Sequence, residues 1–286
     1  MKHLYLSLVC IFCCFCTFSQ ESISTDKIKK YTASNKGKYF ISWGGNRETY
    51  SKSDIRFKGK DYNFTIQDAS AKDKPKGWHV DYINPTRMTI PQTNLRIGYF
   101  ISDKYNVVLG VDHMKYVMKR NKYKNVSGHI NLPADDPGSI YNQSFNGNPY
   151  FVSEDFLKFE HTNGLNYVFA EFNRFDDISS LLNISNTDTF QINITEGLGA
   201  GVLYPKTNTT LLHKERYDEF HVSGYGISVN AAINLTFFKY FYIEGSLKGG
   251  YINMPNIRTT SSKADSASQH FFFLQRIISV GGIFRI

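Results

Sequence analysis

The sequence predicts a closed, antiparallel, all-β barrel of eight strands that spans a membrane. Three observations predict it. Apolar residues recur at every second position over long stretches, those stretches outlast an ordinary strand, and the face opposite the apolar one carries small residues with a few charges. Strict alternation puts successive side chains on opposite faces of an extended chain, whereas a helix groups apolar residues three and four apart.

The clearest stretch is His221 to Phe237. Tyr225, Ile227, Val229, Ala231, Ile233, Leu235 and Phe237 make one face; Gly224, Gly226, Ser228, Asn230, Ala232, Asn234 and Thr236 make the other. In the next stretch Phe241, Ile243, Leu247 and Tyr251 oppose Tyr242, Glu244, Ser246, Lys248 and Gly250. Leu95, Ile97, Tyr99 and Ile101 repeat the pattern, as do Ile278, Val280, Phe284 and Ile286. These segments run to about 11–17 residues. Globular strands usually have about 5 or 6, and a tilted membrane-spanning strand needs about 9–11. Length therefore favours the membrane barrel over a soluble sandwich. The aromatic content of 15%, with 19 Tyr and 23 Phe, suits strands and interfacial girdles.

In chain order the strand-like segments are 38–48, 53–69, 93–103, 105–118, 156–174, 188–203, 220–237, 240–254 and 270–286. Nine is odd, and a single-chain barrel of this kind has an even number, with short turns at one end and long loops at the other. The tight connections at Ser102-Asp103-Lys104 and Phe238-Lys239-Tyr240 fix the short-turn end. Segment 38–48, with Tyr39, Ile41 and Trp43 toward lipid, then becomes the first strand. Segment 53–69 falls into a long outer loop, 49–92, as a protruding hairpin or strand extension. The rival count of ten splits 156–174 at Thr162-Asn163-Gly164 and puts two long segments at the short-turn end.

The N-terminus reads as a secretory signal, 1–19. Lys2 and His3 are its basic start, Leu4 to Phe15 is its apolar stretch, and Thr17-Phe18-Ser19 offers small residues for cleavage after Ser19. Residues 20–37 are expected to be an N-terminal periplasmic segment and 38–286 the barrel. All four cysteines, Cys10, Cys13, Cys14 and Cys16, lie inside the signal. Disulfides, thiolate metal sites and cysteine catalysis are thereby excluded from the exported part. A barrel with all backbone hydrogen bonds closed on one another supplies the stability instead.

The charge of +8 suggests an anionic partner. Export argues against nucleic acid, and there is no compact basic motif on a helix. Lipid head groups or lipopolysaccharide phosphates fit better. Loop 49–92 carries Lys52, Arg56, Lys58, Lys60, Lys72, Lys74 and Lys76, and loop 119–155 opens with Lys119-Arg120-Asn121-Lys122-Tyr123-Lys124. Lys119, Arg120, Lys122 and Lys124 are the expected lipopolysaccharide contacts. Arg96, Asp112, Glu244, Lys248 and Arg285 share the small-residue face and are expected to pair inside the barrel, whose eight-stranded interior is just wide enough to be filled by side chains. Glu196 shares the apolar face of its strand, so either a bulge beside Gly197 turns it inward, the preferred expectation, or a partner satisfies it.

In signal, strand pattern and final strand the chain resembles the small outer-membrane β-barrels of Gram-negative bacteria. That resemblance implies a cell-envelope protein delivered by the outer-membrane insertion machinery, with a structural, surface-assembly or lipid- and ligand-contacting role and no wide pore. No nucleotide loop, Gly-x-Ser-x-Gly elbow or His-Glu-x-x-His motif is present, and no cofactor or metal is expected. The leading expectation is therefore not an enzyme. One segment, Glu160-His161-Thr162-Asn163-Gly164-Leu165-Asn166, is similar over about six residues to the His-x-Ser-Asn signature of outer-membrane lipid A deacylases. That similarity implies His161 as base; Thr162 is the nearest candidate hydroxyl and Glu171 the candidate acid. The family's serine position is held by Asn163, and Thr162 points to the opposite face unless a bulge at Asn163-Gly164 brings it round.

Overall fold

The structure is a computed structural model that describes residues 34–77, 79–82 and 91–286. The expected signal at 1–19 and most of the 20–37 segment lie outside the described residues. Eight strands form a closed antiparallel ring: β1 (Tyr39–Tyr50), β5 (Thr93–Phe100), β6 (Tyr105–Met118), β9 (Leu157–Asp177), β10 (Phe190–Leu203), β12 (Gly224–Phe237), β13 (Phe241–Arg258) and β14 (Ser266–Phe284). Each pairs with the next, and β1 closes the ring on β14 from Tyr39↔Phe284 to Tyr50↔Phe273. The count is eight because β9 runs unbroken through Thr162–Gly164.

Exposure decides which side of the wall is which. Ile227 and Val229 are 55% and 56% exposed, while Asn230 is 8% and Lys248 0% exposed. A soluble barrel would bury the first pair and expose the second. The outer wall is an apolar band, with Leu109, Leu198, Ile233 and Ile278 all exposed. Near the short turns it carries aromatic residues: Tyr39 contacts Tyr99 and Phe284, and Tyr105 stacks on Phe172. Such a girdle marks a membrane interface.

The interior is layered. At the short-turn end Phe40, Phe100, Phe175, Tyr242 and Ile283 pack together. Above them lies a polar layer containing Arg96, Asp112, Glu171 and Lys248. Higher still, Met114, Leu165, Tyr167, Phe169, Leu203, Ile252 and Phe273 join a large apolar cluster.

That cluster continues into a cap beyond the barrel. The outer end of β14 pairs with β2 (Ser53–Lys58), followed in order by β3 (Tyr62–Ala69), β7 (Lys122–Ile130) and β8 (Gln143–Val152). The 53–69 segment is thus a protruding hairpin, and loop 119–155 adds a second one. Two further short strands support the cap: β4 (Ala71–Lys72) pairs with β6, and β11 (Asn208–Leu211) pairs with β9. The face rule inverts here. Ile55, Phe57, Phe64 and Ile66 are buried, while the intervening Asp54, Arg56 and Lys58 are exposed. Water rather than lipid surrounds such a sheet, so its apolar face turns inward.

Two expectations need correction. Arg285 is exposed at the short-turn rim, where Nη2 donates to the Lys36 carbonyl at 2.8 Å. It lies one residue past the end of β14, so it has no place in the lumen. Glu196 is not turned inward. Strand β10 has no register shift, and Glu196 stays on the outward face opposite Arg174 of β9. That cationic neighbour shares the outward face and is itself ion-paired with Asp176 at 2.5 Å.

Candidate functional site

Four of the expected interior charges face the lumen. Lys248 Nζ donates to Asp112 Oδ2 at 2.8 Å and lies 3.5 Å from Glu171 Oε2. Arg96 Nη2 lies 3.5 Å from Asp112 Oδ1, and Asn94 donates to the same carboxylate. The Lys248 ammonium also sits over the Phe169 ring. Glu244 accepts from Asn234 at 3.3 Å. A second acidic group, Glu48, accepts from Gln275 at 3.0 Å and from Gln92. These groups brace strands from opposite sides of the ring. The cavity left among Phe40, Arg96, Glu171 and Tyr242 is about 30 Å³, room for ordered water and little more.

The expected catalytic residues are not assembled into a hydrolytic site. His161 is fully buried in the cap, where Nδ1 meets Thr207 Oγ1 at 3.0 Å and Nε2 meets Gln269 Nε2 at 3.3 Å. Its surroundings are aromatic, with Tyr116 and Phe159 against the ring. Burial alone pushes its pKa down to about 3. Thr162 faces the other way and donates to Glu160 at 3.2 Å. Glu171 lies in the barrel lumen beside Lys248. A bulge is present at this point: pairing shifts between Met114↔Leu165 and Tyr116↔His161, and Gly164 takes φ +126°. It accommodates two extra residues, so the alternation resumes in phase and Thr162 is not carried to the face of His161. A base that no substrate can reach has no use as a base.

The cap instead forms a basic cleft of about 510 Å³. Lys72 and Lys74 from the first long loop line it together with Lys119, Arg120 and Lys122 from the second; Asp73 and Glu160 are the acidic members. Local pairing builds it. Ala71↔Met118 and Lys72↔Val117 join β4 to β6, and Lys119 N–H donates to the Ser70 carbonyl at 2.8 Å. Glu160 is occupied from within, by Asn208 at 2.9 Å and Lys158 at 3.6 Å. Arg120 reaches Glu154 at 3.2 Å. Of the four expected contacts, three line the cleft and Lys124 does not. Its Nζ donates to the Asp68 carbonyl at 2.6 Å, and burial, then Lys52, lower its pKa.

The ring, its lipid-facing band and its two kinds of connection define the architecture. The fold is that of the small outer-membrane β-barrels. Solved structures with this likeness include the attachment invasion locus protein of Yersinia pestis, 12% identical, covering 87% of this chain and 99% of that one, with a TM-score of 0.34. The outer-membrane protein OprG of Pseudomonas aeruginosa is 10% identical, covering 89% and 99%, with a TM-score of 0.37. Neisserial surface protein A is 7% identical, covering 84% and 96%, with a TM-score of 0.29. No family model and no curated protein matches the chain.

Sequence reasoning named both basic runs but did not join them. It also missed Arg47 and Arg276 on the outer wall. The available signal was parity, since Arg276 shares its face with Ile278 and Val280.

Proposed function

We propose that this chain is exported through the signal at 1–19, inserted into the outer membrane of a Gram-negative cell by the insertion machinery, and acts there as a non-conducting barrel. Its cap contacts anionic groups of lipopolysaccharide. The carrying observation is the cleft, where cationic side chains from two loops some 45 residues apart in sequence face one space. Five cations, Arg120 among them paired with Glu154, against two carboxylates, Glu160 already engaged by Asn208 and Lys158, leave a net positive field for phosphate or carboxylate groups. The layered lumen supports the non-conducting role, because an aqueous path needs more strands than eight. No enzymatic role is part of this reading.

The test is titration of lipopolysaccharide into the purified, folded protein, with a variant carrying Lys72→Gln, Lys74→Gln, Lys119→Gln and Lys122→Gln. The expected result is binding at least tenfold weaker in the variant, with salt eroding the affinity of the native protein. Equal affinity for both proteins would remove the cleft from the function. Recovery of the native chain in the soluble fraction would remove the membrane localisation.

A further inference from the structure

A second feature lies on the outside of the barrel wall. Arg47 of β1 and Arg276 of β14 are register partners, and both point outward. Paired residues in an antiparallel sheet have Cα atoms only about 4.5–5.5 Å apart, so the two side chains leave the wall side by side. Arg47 donates to the Tyr82 hydroxyl at 3.1 Å and to the Asn46 carbonyl at 2.6 Å. Arg276 is exposed and makes no ion pair or hydrogen bond among the described residues. Below it on the same face are Ile278 and Val280, and above it Leu274 and Phe272, all exposed.

Depth makes this arrangement informative. Arg276 lies eight residues along β14 from the girdle residue Phe284. At about 3.3 Å per residue and a tilt of about 40°, that is roughly 20 Å up a band about 25 Å tall. An arginine side chain can reach the interface from there. The neighbouring chain agrees, because Trp43 donates its indole N–H to the Tyr82 carbonyl, and the Tyr82 ring lies against Gly45. A polar loop resting on the wall at this level excludes hydrocarbon there. On the other side of Arg276 the outward positions are Gly245, Leu247 and Gly249. A Cβ at Gly245 would meet nothing within 4 Å, so the outer face is open beside Ile278, one outward position below Arg276.

We infer that Arg47 and Arg276 form a binding site for a phosphate group of an outer-leaflet lipid, of the lipid A type, held on the barrel wall. Two adjacent like charges at the lipid boundary call for an anion between them, and planar guanidinium groups bind phosphate oxygens in pairs. The acyl chains of the same lipid would lie along the exposed Ile278 and Val280. This site is separate from the cap cleft and does not depend on it.

The test uses the full, folded chain in detergent with Trp78→Phe, leaving Trp43 as the only tryptophan, and titrates in lipid A while following its emission. Heat-modifiable migration shows that each variant is folded. Arg47→Gln with Arg276→Gln is expected to weaken binding at least tenfold. Arg276→Lys, which keeps charge but loses the paired geometry, should fall between. Trp43 lies on the wall, held to the Tyr82 carbonyl, so its emission follows this site and not the cap cleft. Unchanged affinity in the double arginine variant would overturn the proposal. So would equal binding of dephosphorylated lipid A. Displacement of lipid A by millimolar inorganic phosphate would reassign the site to free phosphate and overturn the lipid assignment, and tighter binding of phosphatidylglycerol would overturn the lipid A class.

Discussion

Lys248 on β13 and Asp112 on β6 meet across the lumen at 2.8 Å, although their strands are not neighbours in the ring. Both side chains are completely shielded from solvent. The bond therefore ties two walls of the barrel together, and Arg96 and Glu171 extend it to β5 and β9. Lys248→Met would leave two buried carboxylates facing one remaining cation. A loss of about 3–5 kcal/mol is expected, since breaking a buried pair costs far more than the pair contributes. It would be read as a lower temperature for the heat-modifiable shift. Adding Asp112→Asn should recover part of the loss, because the unpaired charge leaves with it.

The layered lumen predicts the absence of conductance. Native protein in a planar bilayer should show no unitary steps. Phe40→Ala with Tyr242→Ala opens the aromatic layer at the short-turn end, but the charged layer and the Tyr167–Phe169 layer still close the path. That variant should also stay silent. Regular conductance steps from the native chain would contradict a filled interior.

The two basic runs should behave as one site. Lys72→Gln with Lys74→Gln, and Lys119→Gln with Lys122→Gln, are each expected to weaken lipopolysaccharide binding severalfold. Lys124→Gln should have a smaller effect, because its ammonium is turned to the Asp68 carbonyl. Each cleft substitution should also flatten the dependence of affinity on salt, measured between low and physiological ionic strength. An effect from only one pair would mean that the cleft does not act as a unit.

His161 makes the cap sensitive to acid. Burial lowers its pKa from 6.5 to about 3, so the folded cap holds it neutral while the unfolded chain protonates it. The sign follows: its contribution is fully present above pH 6.5 and is lost progressively as pH falls toward 3. The slope is about 1.4 kcal/mol per pH unit in that window. His161→Gln should lose this dependence and keep a partner for Thr207. Comparing the thermal stability of the two proteins at pH 7 and pH 4.5 isolates this residue from the carboxylates. Parallel curves would show that the ring is not held neutral.

The barrel was legible in the sequence because its signal is local. A side chain faces lipid or lumen according to its parity with neighbours two residues away, so Ile227 and Asn230 declare opposite sides without reference to any other strand. The short connections at 102–104 and 238–240 then set direction, and eight is preferred to ten because it keeps every long loop at one end. The cap was harder. Its strands also alternate, but water surrounds them, so their apolar faces turn inward; alternation reports which residues share a face and not which solvent that face meets. Within the second long loop the β7–β8 hairpin was not read at all, since Pro149, Gly147 and Asn-rich stretches interrupt it.

By itself, then, the sequence determined the all-β class, the alternating faces, an even barrel of eight or ten spanning strands and two basic runs in the long loops. Only the tertiary structure decided what those residues do together. It joined Lys72 to Lys119 through the β4–β6 pairing, parted His161 from Thr162 and Glu171, and set Arg47 beside Arg276 on the wall. The physical reason is that facing depends on spacing along one strand. Convergence depends on register between strands far apart in the chain, and a slip of one residue would undo it.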